Sequence, residues 1–334
     1  MDALLVTGGA GFIGSNFVRY LLNHYPCSNI IVLDVLSYAA NLSNLDGIIN
    51  SGRLQFVQGD ICNRTLVKEL MSKVDAVINF AAESHVDRSI LDPSSFITTN
   101  YNGVYILLEA AKDLGIKRFL QVSTDEVYGH VPDGLSIESD PFMPRSPYAA
   151  SKAAADLLVQ SYFTTYELPV LTTRGGNTIG PYQYPEKVLP IFITQALENQ
   201  PLPIYGDGSA VRSYVYVEDH CSAIDLVLRS GQVGNAYNVG TNYEVSGTDL
   251  ADAVLNLLDR PKNLRKFVRD RSGHDLRYAL DCSAIKSLGW RPRYDFQTML
   301  EITTQWYIDH KQWWQEIKKS SNYQNYYENQ YLNR

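Results

Sequence analysis

The chain is short of the residues that build metal centres, disulfide frames and nucleic-acid surfaces. Its 334 residues include four cysteines, Cys27, Cys62, Cys221 and Cys282, with no CxxC pair and no Cys/His spacing of a metal site. Thiols scattered in this way read as buried side chains in a reducing compartment, and no metal is expected. Basic charge is scarce as well: 29 Lys and Arg stand against 36 Asp and Glu, a net charge of −7. That leaves no footprint for nucleic acid, although a local basic groove for phosphates is compatible with it. No apolar run approaches the ~18 residues a membrane span needs. The N-terminus opens on an apolar strand pattern without a basic leader, so no signal peptide is expected and the protein is read as cytoplasmic. What is present is ordinary in composition, 45% hydrophobic and 19% charged. It suffices for a sizeable core in one large or two ordinary domains.

Against that background the first motif stands out. The apolar run Ala3–Val6 leads into Thr7-Gly8-Gly9-Ala10-Gly11-Phe12-Ile13-Gly14, and apolar residues at helical spacing follow. The order is strand, glycine turn, helix. Gly8, Gly11 and Gly14 permit the tight turn, the approach of a pyrophosphate to the backbone, and close helix–strand packing. Exposed N–H groups and the helix dipole favour the anion. The next strand ends in Asp34, 20 residues beyond Gly14, where a carboxylate holds adenosine ribose hydroxyls and repels a 2′-phosphate. NAD is therefore expected rather than NADP. Strands continue at Leu54–Gln58, ending near Asp60 and Ile61, and at Ala76–Phe80, ending at Ala81 and Ala82. Alternation with helices implies an α/β fold, a Rossmann-type doubly wound parallel sheet with a smaller α/β substrate-binding C-terminal domain.

Arg118–Val122 reads as another buried strand, and it runs into Ser123-Thr124-Asp125-Glu126-Val127-Tyr128-Gly129. Two adjacent carboxylates at the carboxyl end of a strand are costly to desolvate unless paired, neutralised or used. A solvated loop tip, or Asp125 as a helix cap, is the plainer alternative. Further on, Pro147 opens a helix on which Tyr148 and Lys152 are four residues apart and share a face. An ammonium beside a phenol lowers the phenol's pKa, which makes Tyr148 a usable proton acceptor for an alcohol. A surface aromatic–lysine pair is the plainer reading of Tyr148 and Lys152. His85 has no partner at metal-ligand spacing and reads as a loop or substrate-contact residue.

These motifs together resemble the extended short-chain dehydrogenase/reductases that act on nucleotide sugars. Ala82-Glu83-Ser84-His85-Val86-Asp87-Arg88-Ser89, the Thr124-Asp125-Glu126 motif, Gly180-Pro181-Tyr182-Gln183 with Pro185-Glu186-Lys187, and Gly206-Asp207-Gly208 narrow this to a resemblance to the dTDP-glucose 4,6-dehydratase family, from residue 3 to about residue 315. The resemblance implies that Tyr148, with Thr124 and Lys152, takes the proton of the sugar's C4 hydroxyl as hydride leaves for NAD. Glu126 would then remove the acidified C5 proton and Asp125 would protonate the departing C6 hydroxyl. It implies an NAD site lined by the three turn glycines with Phe12 and Ile13, by Asp34, Val35, Leu36 and Ser37, and by Asp60, Ile61, Ala81, Ala82, Ser84 and Thr99, with Tyr148 and Lys152 at its inner end. The nucleotide sugar would be held by Ser84, Arg88, Thr124 and Asn177, by Glu186, Lys187 and Val188, by Pro203, Ile204 and Tyr205, and by Arg212, Asn238, Arg271, His274 and Tyr278. Arg212 is the natural diphosphate partner, since guanidinium matches phosphate oxygens bidentately.

One segment departs from the family. Where it has Cys-Ser-Asn-Asn-Tyr-Gly, this chain has Gly175-Gly176-Asn177-Thr178-Ile179-Gly180. Thr178 thus takes the place of an asparagine that contacts the cofactor. A 4-epimerase or a nucleotide-sugar decarboxylase would share the NAD turn and the Tyr148/Lys152 pair, a UDP-sugar 4,6-dehydratase would share the rest, and an NAD-binding sensor or scaffold is the non-enzymatic alternative. Residues 1–174, with returning segments at about 210–242, are assigned to the NAD-binding domain, 175–209 and 243–319 to the substrate domain, and 320–334 to a tyrosine- and asparagine-rich tail of weak periodicity, for which disorder is one reading. The resemblance further implies a homodimer through helices near Asn102–Leu114 and Pro147–Tyr166.

Overall fold

The computed structural model describes residues 3–332. Its first strand shows how the core is divided. In β1 (Ala3–Thr7), Leu4 and Val6 join one apolar layer and Leu5 the other, because successive side chains of a strand point to opposite faces. Helices cover both faces, so all three are fully buried and the strand reads as one continuous apolar run. The pattern recurs in β2 (Asn29–Asp34), β3 (Leu54–Gln58), β4 (Ala76–Asn79), β5 (Arg118–Thr124) and β6 (Val170–Gly175). Later come β7 (Asn177–Ile179), β8 (Leu202–Tyr205), β9 (Val211–Tyr216), β10 (Ala236–Val239), β11 (Glu244–Ser246) and β12 (Arg265–Val268). The main sheet is parallel, in the order β10-β6-β5-β4-β1-β2-β3. This is the doubly wound architecture expected, and chain direction across the sheet reverses between β1 and β4. The crevice beyond the carboxyl ends of those strands is where such sheets bind ligands.

The second half is built from smaller pieces. β9 pairs in parallel with β7 and antiparallel with β11, while β8 pairs with β12. Of the two segments expected to return to the first domain, β10 does so against Thr172–Gly175, but β9 does not join the main sheet. The helix after it, Val217–Ser230, does return: the Tyr25 hydroxyl donates to Asp225 at 2.5 Å and Arg229 sits 3.5 Å over the Tyr25 ring.

Local chemistry sets the helix that carries Tyr148. Ser146 caps Pro147–Tyr166 by accepting from Ala149 N–H at 3.1 Å, and Pro147 occupies the first turn, where its missing N–H costs nothing. The helix expected from about Asn102 begins instead in a π-helical stretch, Ile97–Gly103. That widened turn buries Asn100, whose carboxamide bonds the Glu83 backbone at both N–H and C=O and donates to Ser151. Of the readings open for the tail, order is the one observed. Ser321–Tyr327 is helical and Glu328–Leu332 continues as a π turn. Tyrosine explains this: Tyr323 and Tyr326 are buried, the former against Tyr184 and Ile317, and apolar burial offsets the ordering cost. Residues 333 and 334 of that tail lie outside the described residues.

Candidate active site

Two clefts meet at the carboxyl ends of the main strands. The first, about 1210 Å³, follows the glycine turn. Gly8 has φ +68°, and a Cβ there would fall 2.6 Å from the Ala81 amide nitrogen; one on Gly14 would overlap the Gly8 carbonyl oxygen. Turn, helix start and the end of β4 are therefore in backbone contact that no larger residue permits. At the end of β2 the buried Asp34 carboxylate accepts from Ala10 N–H at 2.9 Å and Leu36 N–H at 2.8 Å. Burial pushes its pKa up and those two bonds oppose the shift. A bare-backbone cradle followed by a fixed carboxylate fits a dinucleotide with an unsubstituted ribose.

The walls of this cleft include every residue expected to hold the cofactor except Leu36 and Thr178. Leu36 contributes its backbone N–H to Asp34 and packs its side chain on the core. Thr178 is turned away: its hydroxyl is 2.7 Å from His220 Nδ1 and donates to the Gly176 carbonyl. The ring of His220 occupies the space a Cβ on Gly175 would need, which explains the glycine there. Ala39, Ala40, Gln183 and Tyr184 also line the cleft and were not anticipated; the small Ala39-Ala40 pair was the available signal.

At the inner end of the cleft, β5 delivers Thr124 and a 3₁₀ turn, Asp125–Tyr128, follows. The Thr124 hydroxyl caps that turn, accepting from Glu126 N–H at 3.3 Å and donating to Asp125 Oδ1 at 3.2 Å. Lys152 is buried and donates to the Val122 carbonyl at 2.7 Å. Burial pushes it down to about 8. The net shift of Tyr148 is upward, opposite to expectation: burial dominates, the Glu126 charge adds to it, and the contact with Thr124 opposes both. Asp125 is pushed up to about 7, by burial first and then by the Glu126 charge. Burial also raises Glu126, against Arg271, Arg212 and Lys187. The loop-tip reading fails, since Asp125 is 4% exposed. A carboxyl that titrates near neutrality, beside a second carboxyl that three cations face, has the chemistry of an acid–base pair.

The second cleft, about 990 Å³, opens from Glu126 and runs past Ser84, Asn177 and Glu186-Lys187-Val188 to Pro203-Ile204-Tyr205. Arg212, Arg271 and His274 line it as expected. Arg212 is aimed by donating to the Val211 and Asp275 carbonyls at 2.8 and 2.7 Å. His274 is pushed down to about 4 by burial and then by Arg271 and Arg212, so it is neutral at pH 7. Other expected substrate residues are placed elsewhere. Thr124 sits behind Glu126 as its cap. Asn238 is consumed by the interior, accepting from the Tyr128 hydroxyl at 2.8 Å and donating to the Ser136 and Asp281 carbonyls. Arg88 pairs with Glu186 at 2.9 Å between the rings of Tyr38 and Tyr326. Tyr278 donates to Asp275 at 2.7 Å and supports the Arg212 guanidinium on its ring, reaching Glu126 at 3.4 Å.

Lining residues that were not anticipated include Asp87, Phe192, Tyr214 and Tyr331. His85 lines the cleft and caps the helix Val86–Leu91 through Nδ1, which accepts from Asp87 N–H at 3.2 Å. Among the described residues no group of His, Cys, Asp or Glu is placed to hold a metal, and no helix is long and apolar enough to cross a membrane.

Comparisons with known proteins agree with this geometry. The family model for GDP-mannose 4,6 dehydratase matches residues 5–303. The low-salt glycan biosynthesis protein Agl12 of Haloferax volcanii is 50% identical over 91% of this chain and 98% of its own length. The dTDP-glucose 4,6-dehydratase of Streptomyces niveus is 45% identical, over 94% of this chain and 95% of its own. Among solved structures, DesIV, the dTDP-glucose 4,6-dehydratase of Streptomyces venezuelae crystallised with NAD, superposes with a TM-score of 0.93 at 47% identity, covering 95% of this chain and 100% of that one.

Proposed function

The chain belongs to the GDP-mannose 4,6 dehydratase family, and on that premise we propose that it is an NAD-dependent hydro-lyase that converts dTDP-glucose to the 4-keto-6-deoxy sugar. The observation that carries the proposal is the adjacent Asp125–Glu126 pair beside Tyr148 at the mouth of the second cleft, with Asp125 buried and pushed up to about 7 and Glu126 facing Arg271, Arg212 and Lys187. NAD, held by the glycine turn and Asp34, supplies a reversible hydride acceptor, from C4 and back to C6, so turnover consumes no external oxidant.

In this reading Tyr148 acts as a phenolate when it takes the proton of the C4 hydroxyl. Burial and the Glu126 charge oppose that form, the Thr124 contact favours it, and the positive nicotinamide of bound NAD would add to the effect of Thr124. The Lys152 ammonium is held nearby on the Val122 carbonyl. The resulting 4-ketone acidifies the C5 hydrogen, which Glu126 removes. Asp125 gives its proton to the departing C6 hydroxyl, which leaves as water, and Glu126 returns a proton to C5 as hydride reaches C6. Lys187, Arg212 and Arg271 would face the diphosphate, and their charge opposes the burial that raises Glu126. In this reading residues 1–174 chiefly serve the cofactor and 175–209 with 243–319 chiefly serve the sugar, while the returning 210–242 completes the main sheet with β10 and lends Arg212 and Tyr214 to the sugar side. Ile97, Tyr101, Leu157 and Tyr166 are exposed apolar residues on or beside the two helices assigned to dimer contact, which supports a homodimer, and the expected compartment is the cytoplasm.

Mass spectrometry of products from dTDP-glucose, UDP-glucose and GDP-mannose tests the proposal. Loss of one water from dTDP-glucose, ahead of the other two, is expected. Products of unchanged mass only, or no turnover, would contradict it.

A further inference from the structure

The segment from Ser321 to Leu332 takes no part in the steps above, yet it closes one side of the substrate cleft. Tyr331 is its contribution to the wall. The Tyr331 ring is stacked near Tyr205, with centroids 5.9 Å apart and planes 26° apart. The Tyr205 hydroxyl is fixed from the same segment: it donates to Asp87 Oδ2 at 2.9 Å, accepts from Gln330 Nε2 at 2.6 Å, and lies 3.4 Å from the Tyr331 hydroxyl. Tyr326 donates to the same Asp87 oxygen at 3.2 Å, while the other oxygen of Asp87 faces Arg271 at 3.7 Å. A stretch lying beyond the residues matched by the family model therefore orients both a flat aromatic wall and one of the cleft's cations.

Flat rings beside Pro203 and Ile204, with Arg271, Arg212 and Lys187 also on the walls, suit a planar heterocycle joined to a diphosphate. We propose that Tyr331 is a specificity-determining residue for the nucleotide part of the substrate, and that Gln330 and Tyr326 are positioning residues that act through Tyr205 and Asp87. The inference rests on the nucleotide-sugar reading of the cleft. It goes further in making the C-terminal segment part of the binding site.

The test is calorimetric binding of dTDP to the full-length, NAD-loaded protein, with steady-state kinetics on dTDP-glucose in parallel. Base–aromatic stacking is worth about tenfold in affinity or more, so Tyr331→Ala is expected to weaken dTDP binding about tenfold. The same variant should raise KM equally and leave kcat within about twofold, a split that lost stability alone would not produce. Tyr331→Phe keeps the ring and should restore wild-type affinity. Tyr331→Leu retains apolar bulk if the alanine variant folds poorly, and should bind as weakly as alanine. Gln330→Ala should show a smaller rise in KM. Wild-type binding of dTDP with all Tyr331 variants unchanged would overturn this inference alone. A wild-type protein that does not bind dTDP would overturn the nucleotide-sugar reading, and this inference with it.

Discussion

The cofactor cleft and the substrate cleft share Ser84 and Lys187 on their walls, yet they are built by opposite means. The first is mostly backbone and small side chains: the glycine turn, Ala39, Ala40, Ala81 and Ala82, with Asp34 held by two N–H groups. Its ligand is fixed by shape and by dipoles that need no counter-ion. The second is lined by Glu126, Glu186, Lys187, Arg212 and Arg271, each compensated by a named partner or by one another. Buried charge costs several kcal/mol per ion unless matched, so this cleft holds its charges in a network, and its cations oppose the upward push of burial on the Asp125–Glu126 pair. One half of the active site is steric, and the other is electrostatic.

The largest expected effect breaks the steric half. Gly14→Ala places a methyl group on the Gly8 carbonyl oxygen, and relief requires the backbone to move. A cost of about 3 kcal/mol is expected, a loss of about a hundredfold in NAD affinity by fluorescence titration. Unchanged affinity would mean that the cradle is looser than its geometry.

The electrostatic half should respond to pH. Asp125 sits near 7 in the folded protein, against an ordinary value of 3.8. Between those values the native state binds a proton that the unfolded chain has lost, so Asp125 lowers stability progressively as pH rises through that window. Asp125→Asn is neutral throughout. It should raise the melting temperature by a few degrees at pH 8, by less toward pH 4, and should lower kcat about a hundredfold or more by removing the acid. A stability gain independent of pH would remove burial of the charge as the cause.

The smallest effect separates the two clefts from their surroundings. Thr178→Val removes a hydroxyl bonded to His220, which is expected to cost about 1–3 kcal/mol of stability. NAD affinity should stay within about twofold, because the hydroxyl does not line the cleft. A large loss of NAD binding would return Thr178 to the cofactor site.

The same contrast explains what could be read from the chain alone. Gly8 to Gly14 and Asp34 carry their meaning in local spacing, because a strand, a turn and a helix are contiguous, and their placement on the cleft followed. The substrate cleft draws on segments from Ser84 to Tyr331, and there residue type underdetermines role. Asn238 and Arg88 have the chemistry of ligand contacts, but tertiary partners consume them. Tyr331 lies in a stretch whose periodicity is weak, and its place depends on Tyr205, more than a hundred positions earlier. The Lys152 argument failed for a related reason: adjacency on a helix was visible, whereas the burial that outweighs it was not.

The central claim is that Asp125 and Glu126 turn an alcohol oxidation into a dehydration. Deuterium incorporation at C5 in heavy water measures it most directly, with Glu126→Gln compared to wild type under single-turnover conditions and NAD reduction followed in the same reaction. Wild type is expected to incorporate one deuterium and lose water. Glu126→Gln should still reduce NAD but show C5 exchange slowed about a hundredfold or more. Exchange at the wild-type rate in Glu126→Gln would contradict the account.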